Sequence, residues 1–215
     1  MASNSPRRRE MLAWVNWDWD ASAANIDESQ LPDETDRDYV IRLAAEKANF
    51  PIPEIQPPDI VIAADTIVVL DEKILGKPVS SEQAHEMLTS LCGREHQVMT
   101  AITVQSGDHG NTQHDICKTS VKMREYTDQE IKLYIASGDS QDKAGAYAIQ
   151  NPDFHPVIDF NGCFASVMGM PLCHLERSLR ELPNYVPRDL AKICQNHLKY
   201  NCPITERVMA GEDIG

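Results

Sequence analysis

Three consecutive arginines, residues 7–9, are the first group in this sequence that could do chemistry. Ser5 is a good helix N-cap and Pro6 a good first helical residue, so the arginines fall in the first turn of a predicted helix. Free N–H groups and partial positive charge at a helix N-terminus repel arginines but bind phosphate. Arg8 shares a helical stripe with apolar residues at 11, 12 and 15, so it faces the buried side, where polyphosphate is a suitable partner. The segment predicts a phosphate site; the alternative is a solvated basic patch.

A carboxylate interrupts the most apolar run of the chain. Asp65, followed by Thr66, lies in the middle of residues 60–70, which are otherwise apolar and rich in β-branched side chains. A buried carboxylate is costly unless it is paired or binds metal. Acids in such settings are candidates for functional sites. Asp65 is therefore a candidate base or metal ligand, and the alternative is a structural turn or cap between two strands.

Three further charged residues matter only in combination. Lys47 shares a helical stripe with apolar residues at 40, 43 and 44, which places it on the buried side unless its ammonium reaches solvent at the edge of the stripe. Lys77 lies in a rigid Gly-Lys-Pro loop, and Glu28 lies in an acidic stretch. Taken alone, Glu28 is more typical of a solvated acid than of a metal ligand.

The segment from residue 142 to residue 150 combines small residues with one amide. Small residues around Gly145 permit a close approach of the backbone, and Gln150 offers both a donor and an acceptor, which suits the edge of a base. The alternative is a tight turn that enters a strand.

Helices and strands alternate along the chain. Periodicity and caps predict helices at about 6–15, 36–49, 81–92, 127–137 and 189–198, the fourth with a capping box from Thr127 to Glu130. Strands are predicted at 60–70, 97–105 and 115–122. This order predicts an α/β fold that positions the charged groups.

Composition excludes several classes of protein. A net charge of −13 argues against a broad surface for nucleic acid but not against one small nucleotide. There is no apolar stretch long enough for a membrane span and no secretory signal, so we expect a cytoplasmic protein with free thiols at its six cysteines. A zinc site at Cys194, His197 and Cys202 is an alternative that lacks a fourth ligand.

Taken together, the motifs resemble the Maf family, known for inhibition of septum formation. The matching stretches are residues 2–10, 27–28, 39–47, 64–70, 74–78, 142–150 and 169–172. Their order and spacing cover about residues 1–180, which we expect to form a Maf-like domain. Residues 181–215 then form a partly helical C-terminal extension.

The resemblance implies an elongated, two-lobed α/β fold around a mixed sheet, similar to inosine triphosphate pyrophosphatases. It implies hydrolysis of dTTP or UTP to the monophosphate and pyrophosphate, a divalent cation (Mg²⁺ or Mn²⁺) and a homodimer. Asp65 matches the family's catalytic base and, with Glu28, its candidate metal ligands. The phosphate-binding positions match Ser5, Arg8, Lys47 and Lys77. The positions that mark the dTTP/UTP subgroup match Arg7, Thr66 and Gln150, whereas the 7-methyl-GTP subgroup has an aromatic residue, Gln and Glu there.

Two departures from the family pattern accompany the match. The family has a short apolar strand before Ala2, where only Met1 stands here, so we expect a version extended by that strand to be more stable. An Asn that the family usually places before Gly169 is also absent. Two other functions stay open: a nucleotide-binding regulator of cell division without turnover, and a Maf-type pyrophosphatase for modified or purine nucleotides.

Overall fold

A single sheet of five strands organises the protein. The computed structural model describes residues 1–52, 55–108, 110–183 and 185–214. The strands run in the order β2-β1-β3-β4-β5, and every neighbouring pair is antiparallel. Their bounds are β1 Ile60–Leu70, β2 Lys73–Leu75, β3 Glu95–Ser106, β4 Thr112–Met123 and β5 Val157–Asn161.

The edge of β1 is only partly covered. Short β2 pairs with residues 68–70, and at the other end the N–H of Ala2 donates to the carbonyl of Ile62 over 2.9 Å. Ala2 also forms an isolated parallel bridge with Ser22. In the described part of the chain, no strand pairs with residues 63–67 on this side. The sheet therefore leaves a gap at Asp65 and Thr66.

Eight helices lie on the two faces of the sheet within the described residues. They are α1 Pro6–Ala13, α2 Asp36–Ala48, α3 Ser81–Leu91, α4 Asp128–Ala136, α5 Phe164–Met168, α6 Leu172–Arg180, α7 Leu190–Leu198 and α8 Thr205–Met209. Side-chain caps at Thr35, Ser80 and Thr127 begin α2, α3 and α4, and the predicted capping box from Thr127 to Glu130 is present.

Side chains alternate along β1, so neighbouring residues reach opposite helical layers. Ile67 and Val69 pack with α2. On the other face, an apolar cluster around α1 and α6 includes Ile62, and a second around α3 and α4 includes Val68. Thr66 lies between these two clusters in the sequence of β1. The two-lobed shape that the resemblance implied stays a prediction.

The α/β class is confirmed, and all three predicted strands and all five predicted helices are present within a few residues. The named strands are wholly antiparallel, so the only parallel pairing among described residues is the bridge from Ala2 to Ser22. The sequence patterns missed β2, β5, α5, α6 and α8. Helix α6 is nearly all buried, including its polar residues His174 and Glu176. No described helix is both long and apolar enough to cross a membrane.

Candidate active site

A cavity of about 360 Å³ opens at the gap beside β1. Eight of the nine residues predicted for the site line it: Ser5, Arg7, Arg8, Glu28, Lys47, Asp65, Thr66 and Lys77. They come from the start of α1, the loop before α2, the end of α2, the middle of β1 and the loop after β2. The fold thus brings together charged residues that are far apart in sequence.

Asp65 points to the α2 side of the sheet, where it meets Lys47. The Nζ of Lys47 donates to an oxygen of Asp65 and also pairs with Glu28, each over 2.6 Å. The side chains of Lys47 and Asp65 are only 9% and 12% exposed, whereas that of Glu28 is 49% exposed. Burial raises the pKa of Glu28, but the hydrogen bond and charge of Lys47 outweigh it and hold this pKa below its usual value. One ammonium group therefore joins two carboxylates at the floor of the cavity.

Arg8 lies on the other side of β1, in the position that the helical stripe predicted. Its Nε donates to the carbonyl of Gly169 and its Nη2 to the hydroxyl of Thr66, both over 2.9 Å. Thr66 in turn donates to Thr100, because the hydroxyl hydrogen of Thr100 is already given to the carbonyl of Ser166. This chain of hydrogen bonds joins α1, β1, β3 and α5.

Gly169 is required for that arrangement. It is the C-cap of α5 with φ +107°, a backbone conformation that side chains with a Cβ rarely adopt. An added Cβ would also stand 3.3 Å from both the Nε of Arg8 and the hydroxyl of Thr66.

Burial lowers the pKa of Arg8, while the charge of Asp65 raises it. Arginine stays protonated under such conditions, so the cavity keeps a fixed positive charge.

The end of the cavity near Arg7 has a different character. Val68, Val98 and Tyr147 give it apolar walls, and Asp142 stands at its rim. The Nε of Arg7 is buried and has no hydrogen-bond partner among the described residues. Burial lowers the pKa of Arg7, and the charge of Asp142 is the largest influence that raises it. Apolar walls with one free donor suit a heterocyclic base.

Gln150 is the predicted residue that the cavity does not include. It is exposed in a turn and absent from the lining, whereas Ala144 and Tyr147 of the same motif line the cavity. The close approach expected at Gly145 occurs against Val68, since a Cβ there would lie 3.1 Å from that side chain. The small residues of this motif therefore serve packing against β1. Tyr147 was missed because nothing in the pattern distinguishes a lining aromatic ring from a core one.

The cysteines do not form a second site. All six are free thiols, and no group of three or more His, Cys, Asp or Glu among the described residues is arranged to hold a metal ion. The zinc alternative at Cys194, His197 and Cys202 therefore has no support in the described part of the chain. Burial raises the pKa of the Cys173 thiol to about 12, which makes it unreactive.

A cavity with Arg8, Lys47 and Lys77 at one end and apolar walls at the other, on an α/β scaffold, is typical of a nucleotide-binding class of protein. The family model for Maf-like protein matches residues 1–182, and the chain belongs to this family. A dTTP/UTP pyrophosphatase of Vibrio parahaemolyticus is 40% identical over 182 residues, which cover 84% of this chain and 95% of that protein. One of Shewanella denitrificans is 42% identical over 179 residues, or 80% and 89% of the two chains. One of Thermomicrobium roseum is 38% identical over 208 residues, or 95% and 92%.

Proposed function

We propose that this chain hydrolyses dTTP and UTP between the α and β phosphates, releasing the monophosphate and pyrophosphate. The observation that carries the proposal is the buried Asp65, held 2.6 Å from Lys47 in the same cavity as Arg8 and Lys77. The names of the relatives, all dTTP/UTP pyrophosphatases, support the same substrates.

The cationic groups neutralise the polyphosphate. Cleavage of a phosphoanhydride gains most from charges and donors placed around the transferring group before the reaction. Arg8, Lys47 and Lys77 supply positive charge, and the N-terminus of α1 adds backbone N–H groups. The hydroxyl of Ser5 makes no capping hydrogen bond to α1, so it is free to donate to a phosphate oxygen.

Asp65 orients and deprotonates the attacking water. The hydrogen bond from Lys47 fixes the position of its carboxyl group, and a carboxylate can accept a proton from water. Lys47 also pairs with Glu28, so its one positive charge is shared between two carboxylates. The floor of the cavity thus holds a base beside the phosphates it serves.

A divalent cation, Mg²⁺ or Mn²⁺, fits the donor set. Asp65 and Glu28 each place an oxygen 2.6 Å from the same Nζ atom, so the two carboxylates converge on one region. Magnesium is commonly bound by one or two carboxylates together with phosphate oxygens of the substrate. Asp65 and Glu28 would hold the ion, which when bound supplies further charge neutralisation at the phosphates.

Three residues are proposed to select the base. Arg7 has the most direct position, because its unpartnered Nε lies in the lining of the apolar end. Thr66 acts through Arg8, to whose Nη2 its hydroxyl is bonded. Gln150 is included because of the family resemblance, and its exposed position makes it the first of the three to test.

The experiment is a substrate panel on the purified protein. We expect dTTP and UTP to yield monophosphate and pyrophosphate in the presence of Mg²⁺ or Mn²⁺, with much lower rates for dCTP, purine nucleotides and 7-methyl-GTP. Release of diphosphate and orthophosphate would contradict the proposed bond. Tight binding without turnover would favour the regulator, and preference for 7-methyl-GTP the other subgroup.

A further inference from the structure

The C-terminal segment, residues 185–214, packs against elements that flank the site. His197, near the end of α7, stacks on Trp14 with ring centroids 4.9 Å apart and an angle of 3° between the planes. Trp14 is the C-cap of α1. Tyr200 follows three residues later and packs against Phe160 and Phe164, with centroids 5.6 and 6.5 Å away. Three aromatic contacts therefore join this segment to the end of α1, to β5 and to α5.

Two of these elements, α1 and α5, hold Arg8. Helix α1 carries Arg8, and the C-cap of α5, Gly169, accepts a hydrogen bond at its carbonyl from the Nε of Arg8. Helix α1 has only eight residues and no side-chain cap at Ser5, so packing from outside must hold it in place. Helix α7 provides a firm base, because its Leu190 is fully buried in the cluster around α1 and α6.

We infer that His197 and Tyr200 are positioning residues, which fix Arg8 in the phosphate site by holding α1 and α5 in register. The C-terminal segment is then part of the working enzyme and not a separate appendage to residues 1–180. Stacked rings add stabilisation beyond their buried area, and a displacement of about 1 Å can cost on the order of 10² in rate. The inference rests on the proposed function in one respect, that Arg8 binds polyphosphate.

The test uses the full chain with His197→Ala, Tyr200→Ala and the double variant. Tyr185→Ala is the matched control, because Tyr185 lies in the same segment but packs its ring on Trp17, beyond α1. Calorimetry measures the binding of inorganic pyrophosphate and of thymidine to each variant. The kcat and KM for dTTP and a melting curve are measured on the same preparations. We expect the double variant to bind pyrophosphate about tenfold more weakly and to raise KM for dTTP similarly. Thymidine binding should change less than about twofold, because Arg7 and the apolar walls line the base end, which reaches Arg8 only through Thr66.

His197→Phe combined with Tyr200→Phe should restore pyrophosphate binding, because flat rings remain in both places. Tyr185→Ala should lower the melting temperature and leave pyrophosphate binding unchanged. The inference is overturned if pyrophosphate and thymidine weaken equally in the double variant, if only the melting temperature changes, or if the wild-type protein does not bind pyrophosphate. If the wild-type protein binds pyrophosphate but does not cleave dTTP, only the proposed function is contradicted. The difference in pyrophosphate affinity between wild type and the double variant would still test the position of Arg8.

Discussion

The two ends of the cavity are built in different ways. At the phosphate end, hydrogen bonds and ion pairs to Gly169, Thr66, Asp65 and Glu28 already hold Arg8 and Lys47 in place. At the base end, the Nε of Arg7 is buried between apolar walls and has no hydrogen-bond partner among the described residues. Charged groups that are held in place before the substrate binds favour catalysis. A polar group without a partner favours discrimination between bases, because the wrong base leaves it without a hydrogen bond. Substitutions at the phosphate end should therefore affect turnover, and those at the base end should affect preference.

The largest effect is expected for Asp65→Asn. The amide keeps the size of the side chain but cannot act as a base, so kcat for dTTP should fall by about 10²–10⁴-fold. Folding should persist, because Glu28 still pairs with Lys47. Pyrophosphate release and a melting curve on the same preparation make the measurement. Near-normal turnover would contradict the mechanism, and loss of the fold would favour a structural role for Asp65.

Arg8→Lys should have the next largest effect. Lysine keeps the charge but cannot make both hydrogen bonds in the geometry of a guanidinium, so the links to Gly169 and Thr66 break. We expect kcat/KM to fall by about 100-fold, which corresponds to about 2.7 kcal/mol, together with a lower melting temperature. Arg9→Lys is the control, because its guanidinium bonds Asn4 and the carbonyl of Ser3 at the surface. Equal losses in both variants would contradict a special role for Arg8.

At the base end, Arg7→Gln should change preference more than speed. Removal of a half-buried arginine whose Nε has no hydrogen-bond partner among the described residues should leave the melting temperature unchanged or higher, while the ratio of kcat/KM for UTP to that for CTP falls by about tenfold. The turnover of the same nucleotides is also measured for Gln150→Glu. A selective loss of dTTP and UTP turnover would support a role for Gln150 in reading the base. A uniform loss for all nucleotides would make Gln150 structural.

The smallest effect concerns acid stability. Burial lowers the pKa of His96 from 6.5 to about 4, and its Nε2 meets the hydroxyl of Tyr147, which lines the base end, over 2.8 Å. As the pH falls, His96 is protonated in the unfolded chain before it is protonated in the folded protein. The stability that neutral His96 contributes is therefore complete above about pH 6.5 and is lost as the pH falls toward 4, by about 3 kcal/mol in all. The pKa of Glu28 at the phosphate end is lowered, so its pairing should survive to more acidic pH.

Denaturant unfolding between pH 4 and 8 measures that loss. His96→Phe should make the free energy of unfolding less dependent on pH. His85→Gln, which removes a surface contact to Asp128, should leave that pH dependence nearly unchanged. The same slope in wild type and His96→Phe would assign the acid sensitivity to other groups. The homodimer and the cytoplasmic location stay predictions.

Several features of the site could be predicted because each is local. Asp65 was recognisable from its apolar surroundings, and the inward direction of Arg8 and Lys47 followed from helical spacing. The capping box at Thr127 needs four adjacent residues, and it is present as predicted. Local geometry of this kind depends only on neighbours in the chain, so the sequence shows it directly.

The sequence by itself determined the charged groups, the long strands and the family pattern of the active site. Tertiary structure alone decided which groups meet: Lys47 with both Asp65 and Glu28, Arg8 with Gly169 at a separation of 161 residues, and His197 with Trp14. It also left Gln150 outside the cavity lining. The physical reason is that strand alternation sends adjacent residues of β1 to opposite faces, and what each one contacts there depends on the helices that cover that face.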